Sequence, residues 1–266
     1  MGVDLGSRLR DHWPEYLIEA GGIGAFMLSA IGFTVLLEHP ASPVHAALPD
    51  PFARRALMGL AMATTAISLV YSPFGQRSGA HFNPAFTLAF FRLGKVEPAD
   101  AGLYALAQFA GALGGVLVAA LALGALAADP GVRFAATLPG SAGELVAFGA
   151  EVAISFVLML VVLVTSNAAR TAPYTPLFVG ACIATWITFE APISGMSMNP
   201  ARTLGSAAGA QVFSSLWIYF TAPPLGMLLA AEAYVRLRGA RAVHCAKLHH
   251  ANAQRCIFRC GYAAAG

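Results

Sequence analysis

Apolar residues gather into six long runs, at residues 16–37, 56–71, 101–127, 145–165, 173–189 and 216–237, divided by short stretches rich in charge, proline and glycine. Runs of this kind predict helices that cross a bilayer, which takes ~20 residues. Two further apolar runs, 85–91 and 201–210, are about half that long. Each follows an Asn-Pro pair, Asn83-Pro84 and Asn199-Pro200. Asparagine is among the best helix N-caps, and proline suits the first helical position because its φ is already fixed and its missing N–H has no partner to lose. The pattern therefore predicts two half-helices that begin inside the membrane.

Both half-helices sit in one repeated frame. Residues 78–88 read SGAHFNPAFTL and residues 194–204 read SGMSMNPARTL, agreeing at Ser, Gly, Asn, Pro, Ala, Thr and Leu. One Asn-Pro-Ala alone is an ordinary loop-to-helix start in a soluble protein; two copies, one per half of so apolar a chain, point to an internal duplication. Each half, residues 16–127 and 144–238, holds three long runs and one short one, with a Gly- and Pro-rich segment, 128–143, between them. An odd number of spans per copy makes the second copy insert upside down, the inverted-repeat arrangement of many transport proteins. The predicted fold is an all-α membrane protein with six transmembrane helices and two re-entrant half-helices in two inverted repeats. An N-terminal tail, 1–15, and a C-terminal tail, 239–266, flank it.

Composition agrees. Of 266 residues, 58% are hydrophobic and 11% charged, with mean hydropathy +0.67, against about a quarter charged in a soluble domain. The formal net charge of +3 is too small to suggest nucleic acid; the lipid bilayer is the expected partner. The polar start, MGVDLGSRLRDHWPEY, carries no evident cleavable signal, so the first span should stay attached. With the N-terminus in the cytoplasm, twelve Lys and Arg fall on that side and four, Arg54, Arg55, Arg133 and Arg202, on the other. The positive-inside bias then makes both termini cytoplasmic, in a plasma or bacterial inner membrane by default. Cys182 lies in a span and Cys245, Cys256 and Cys260 in the tail, so no extracellular disulfide framework is implied.

Non-helical backbone at membrane depth is tolerated only where it is buried in protein or lines a wet cavity. The stretches SGAHF and SGMSM are such backbone, and their carbonyls are expected to form a ladder of acceptors, with the amides of Asn83 and Asn199 meeting at the midplane. Each half-helix points its positive end there, which repels cations and protons and leaves neutral molecules unaffected. Arg202 adds a full charge. A structural clamp on loop carbonyls is its plainer role, and the two are compatible.

The chain resembles the aquaporin family, the major intrinsic proteins, from about residue 15 to 238. The resemblance rests on SGAHFNPAFTL, SGMSMNPART, Glu19, Glu151 and the AQFAG stretch containing Gln108. It implies a passive channel, a homotetramer with a pore in each subunit, in which Asn83-Pro84-Ala85 and Asn199-Pro200-Ala201 flank the path and the asparagines bind passing solute. It implies no cofactor and no catalysis. Glu19 and Glu151 match acids that brace the re-entrant loops through backbone N–H groups; a proton relay is the sharper alternative.

The solute is read from the same residues. Arg202 is followed by Thr203 and not by the Asp of the glycerol-conducting group, which favours water. The narrow outer constriction resembles the water group less: its positions fall on Arg202, Ile187, Met196 and, by gapless spacing, Ala63, or near Met58 or Met62 if residues 72–77 carry an insertion. No His stands there. A wider path for small uncharged solutes such as glycerol, ammonia or hydrogen peroxide is the alternative. His81 is a candidate pH-sensitive residue in the pore loop, or simply a histidine satisfied by nearby backbone. The tail has Cys245, His249, His250, Cys256 and Cys260, but their spacing does not match the usual zinc pattern, so no metal is expected. A basic tail against anionic lipid is the expected arrangement. A coupled carrier would need more titratable groups along the path than Glu19, Glu151 and His81, and a closed structural protein finds no support in the polar loops.

Overall fold

The computed structural model describes residues 5–262, and among them every regular element is helical. In chain order the long helices are α1 (Leu5–Glu38), α2 (Pro51–Tyr71), the half-helix α3 (Pro84–Arg92), α4 (Pro98–Leu123), α5 (Glu144–Ser166), α6 (Thr175–Phe189), the half-helix α7 (Pro200–Ala210) and α8 (Leu216–Arg238). Five of these stretches, α1, α4, α5, α8 and the run Ala172–Phe189 that ends as α6, are long and apolar enough to cross a membrane. The sixth span, α2, has 21 residues and carries Arg54 and Arg55 in its first turn.

The first two spans start well before their apolar runs. Helix α1 begins at Leu5 and continues through Pro14. Its polar start is fastened to the first turn of α4, where Asp100 receives His12 Nδ1 at 2.7 Å and Tyr16 Oη at 2.6 Å, with Arg8 at 3.6 Å. Helix α2 begins at Pro51, capped by Asp50, whose carboxylate accepts the Phe52 N–H at 3.0 Å. Arg54 is buried there because Glu38 and the Leu48 and Pro49 carbonyls take its donors.

Packing follows the internal repeat. Helix α1 lies on α4 in the first half and α5 on α8 in the second; α2 and α6 pack together across the halves. Each half-helix rests on the third span of the other repeat, α7 on α4 and α3 on α8. The outer belt is apolar: Leu106, Leu121 and Leu145 are 68%, 79% and 82% exposed, which suits a lipid-facing surface.

Close approach of the paired helices depends on a few glycines. A Cβ on Gly111 would stand 2.1 Å from the Ala20 carbonyl oxygen, and one on Gly226 would stand 2.3 Å from that of Val152. Within α1, Gly24 meets α4, whereas Gly21 and Gly32 face open space, so not every small residue of that span serves packing.

The segment between the repeats and the C-terminal tail both fold back onto the bundle. The first contains a turn at Arg133–Ala135 with φ of 45°, 50° and 53° and packs on α7. The tail does not lie out on lipid, as its basic character predicts. It crosses the face of the molecule where α1 begins and α8 ends. Arg259 pairs with Glu97 at 2.6 Å and holds that carboxyl below its usual value; Arg255 bonds the Asp11 carbonyl, the Asn167 side chain accepts the His244 N–H, and Leu248 N–H donates to the Gly79 carbonyl.

Gly111→Val and Gly226→Val are each expected to destabilise the bundle by about 1–3 kcal/mol or more through overpacking against backbone. The check is thermal unfolding and size-exclusion profile in detergent. Gly102→Ala and Gly149→Ala, where nothing lies within 4 Å of an added Cβ, should leave both unchanged.

Candidate functional site

The two repeated frames form matching loops. Each opens with a glycine in the left-handed region, Gly79 (φ 95°) and Gly195 (φ 82°), followed by non-glycine residues there too: Ala80 and Phe82 in one, Met196 and Met198 in the other. Such conformations cost of order 1–3 kcal/mol each and persist only when the surroundings over-determine them.

The surroundings are two buried glutamates. Glu19 accepts from Ser78 Oγ at 2.7 Å, His81 N at 3.1 Å and Phe82 N at 2.6 Å, and also from Gln108 Nε2 at 2.8 Å. Glu151 repeats the arrangement with Ser194 Oγ at 3.0 Å, Ser197 N at 2.6 Å and Met198 N at 2.8 Å. Tyr104 and Tyr219 add hydroxyl bonds to the carbonyls of Ser78 and Ser194. Both glutamates are fully buried and fully used, the geometry of a brace.

The asparagines then tie the loops to one another. Their side-chain oxygens cap their own half-helices, Asn83 to Ala85 N and Asn199 to Ala201 N and Arg202 N. Their amides cross over: Asn83 Nδ2 donates to the Met198 carbonyl at 2.7 Å, and Asn199 Nδ2 to the Phe82 carbonyl at 2.8 Å. Each amide has two N–H groups, so one on each is not engaged in these crossing bonds. Of the loop carbonyls, those of Phe82 and Met198 thus accept from the asparagines and those of Ser78 and Ser194 from the tyrosines.

A cavity of about 490 Å³ runs past this junction. Asn83, Asn199, His81, Arg202, Ile187 and Met196 all line it. Ala63 does not. Met58, Met62 and Ala66 line the wall from α2 instead, one residue per turn, while the Ala63 carbonyl lies 3.4 Å from the Cβ position of Gly180 on α6. The register shift comes from the helical turn Pro73–Ser78, which takes up residues between α2 and the first loop.

Three features lay outside sequence reach. Pro130 to Arg133, Ala135, Ala136 and Leu138 of the inter-repeat segment also line the cavity. Thr203 closes a hydroxyl chain with Ser197 and Thr137, so Thr203 holds the loop to that segment. His81 is held between the rings of Phe90 (5.2 Å) and Phe258 (5.3 Å). Its Nε2 lies 2.8 Å from the Ala246 carbonyl and its Nδ1 3.0 Å from Thr87 Oγ1. A carbonyl only accepts, so Nε2 carries the proton and both nitrogens are occupied.

Comparison with known proteins converges on the same reading. The family model described as major intrinsic protein matches residues 10–234. The chain belongs to the major intrinsic protein family. A glycerol uptake facilitator protein-like 6 from Lactiplantibacillus plantarum is 35% identical over 225 residues, 82% of this chain and 94% of that one. Aquaporin NIP1-3 from Oryza sativa subsp. japonica is 38% identical over 172 residues, 64% of this chain and 58% of the longer relative. In architecture the chain is similar to the aquaglyceroporin from Plasmodium falciparum, with TM-score 0.69 and 22% identity over 84% of this chain and 96% of that one. This major intrinsic protein is therefore an integral, multi-pass membrane protein and a passive solute channel, not an enzyme.

Removing a brace is expected to cost more than one ordinary bond. Glu151→Ala leaves the buried Ser197 and Met198 N–H groups unpaired, at about 1–3 kcal/mol each. Thermal unfolding and channel flux should both fall, and Glu19→Ala should do the same in the other loop. Unchanged stability with altered proton leak in either variant would instead mark a relay.

Proposed function

We propose that the protein is a passive channel for water and small uncharged solutes up to about the size of glycerol, and that it excludes ions and protons. The observation that carries this is the guanidinium of Arg202. Its Nη1 is buried on the cavity wall without a protein partner, and a buried donor of this kind calls for a hydrogen-bond acceptor. Much of the remaining cavity lining is apolar, Met58, Ile187 and Met196 among it. The Cβ position of Gly59 lies 2.6 Å from the Ala184 carbonyl and 3.0 Å from Thr188 Oγ1, which brings Met58 near the level of Ile187. Met196 completes the ring from the second loop. An unpartnered donor in a largely apolar cavity suits a molecule that carries both hydroxyls and CH groups.

In this reading Arg202, Ile187, Met196 and Met58 form the constriction, with Met62 in place of Ala63 further in. Asn83 and Asn199 offer their free amide hydrogens to the solute, and Glu19 and Glu151 hold the loops in place. Similarity to the glycerol uptake facilitator-like protein favours the wider path. A water-only channel is the reading that Arg202-Thr203 first suggested, and Thr203 supports it less once its hydroxyl is committed to Ser197 and Thr137. Cytoplasmic termini, a plasma or bacterial inner membrane, and a homotetramer with four pores complete the proposal, on the charge bias and the family resemblance respectively.

Stopped-flow light scattering on proteoliposomes tests it. After shrinkage in hyperosmotic glycerol, the vesicles are expected to reswell several-fold faster than empty liposomes; shrinkage in sucrose without glycerol-driven reswelling would leave a water-selective pore. Arg202→Ala should raise ion or proton leak while preserving the fold, and Met196→Trp should slow glycerol more than water.

A further inference from the structure

We propose that Cys245, His250, Cys256 and Cys260 bind a zinc ion that pins the C-terminal segment across the mouth of the channel. The four ligand atoms, three Sγ and one imidazole nitrogen, all lie within 4.8 Å of one another. Cys245 and Cys256 sulfurs are 3.5 Å apart, and Cys260 Sγ is 3.0 Å from His250 Nε2. A tetrahedral zinc with bonds of about 2.3 Å to sulfur and about 2.0 Å to nitrogen needs ligand separations of roughly 3.5–3.8 Å. Small side-chain adjustments bring the four atoms there. On binding, the three thiols give up their protons to solvent and the ion takes three thiolates and a neutral imidazole.

The surroundings are those of a ligand set. The N–H of Lys247 donates to the Cys245 sulfur and that of Phe258 to the Cys256 sulfur, each two residues along from its cysteine. Hydrogen bonds of this type orient metal ligands. His250 stacks on Tyr262 at 4.3 Å, and the Tyr262 hydroxyl is anchored on the Ser166 carbonyl. A site of three thiolates and zinc carries one net negative charge, and the ammonium of Lys247, 2% exposed, sits close to the three sulfurs. Its donors are fixed by the carbonyls of Gln254 and Arg255.

Spacing concealed the site. Cys256 and Cys260, with three residues between them, form one arm, and Cys245 with His250 form the other. His249, equal to His250 as a candidate on sequence, turns its ring to Tyr71 at 5.1 Å instead. The ion would hold together residues 243–261, a stretch without helix that follows the short turn Ala240–Ala242. Yet in that segment Ala246, Leu248 and Phe258 are buried, and Leu248 lines the cavity. Ala246 and Phe258 are the two tail partners of His81.

The experiment uses the full chain purified in detergent without chelator. Elemental analysis should find about one zinc per chain, lost in Cys256→Ser/Cys260→Ser and retained in His249→Ala. Trypsin should cut at Lys247 and Arg255 about tenfold faster or more after zinc is stripped with a chelator, and slow again when zinc is restored. Purified wild-type protein that neither contains nor takes up zinc would overturn the proposal, as would a Cys245–Cys256 disulfide found by non-reducing mass spectrometry. So would zinc that persists in the double variant, or tryptic rates indifferent to the metal.

Discussion

Irregular backbone placed in the middle of a bilayer must find every hydrogen bond within the protein. Two glutamates meet that demand here. Glu19 and Glu151 reach from the first span of each repeat into the loop of the same repeat and hold left-handed residues that would otherwise relax. Everything downstream depends on those loops being rigid: the caps on α3 and α7, the crossing amides of Asn83 and Asn199, and the position of Arg202 on the wall. Membrane burial makes these contacts strong because no water competes for them.

The architecture and the junction were legible in the sequence because their signals are local. An N-cap followed by proline declares a helix start wherever it occurs, and repetition of the frame ties two such starts together. Glu19 and Glu151 stood out as acids in apolar runs. What sequence reasoning missed depends on distance along the chain. Ala63 was placed by counting, and the helical turn at Pro73–Ser78 breaks the count. Thr203 looked like a marker of the solute, yet its hydroxyl answers Thr137, 66 residues earlier. The tail has no hydrophobic period to betray its fold, and its contact with His81 spans 165 residues.

The two mouths of the channel are consequently unlike, although the loops between them nearly match. On one side the inter-repeat segment lines the cavity beside Arg202; on the other the tail packs against Gly79 and His81. Gly79 serves twice there. Its left-handed φ opens the loop, and its missing side chain leaves room for Phe258, whose ring would stand 2.6 Å from a Cβ. Internal duplication thus explains the pore's centre, and the unduplicated segments explain its ends.

The exchange of partners between repeats also bears on how the chain is made. The first loop is complete only when Asn83 has the Met198 carbonyl, and α3 has its resting surface only when α8 is present. Neither half of the polypeptide contains a finished pore loop by itself. Synthesis from the N-terminus therefore leaves the earliest-built part of the conduit without its full set of partners until the last transmembrane segment has been made.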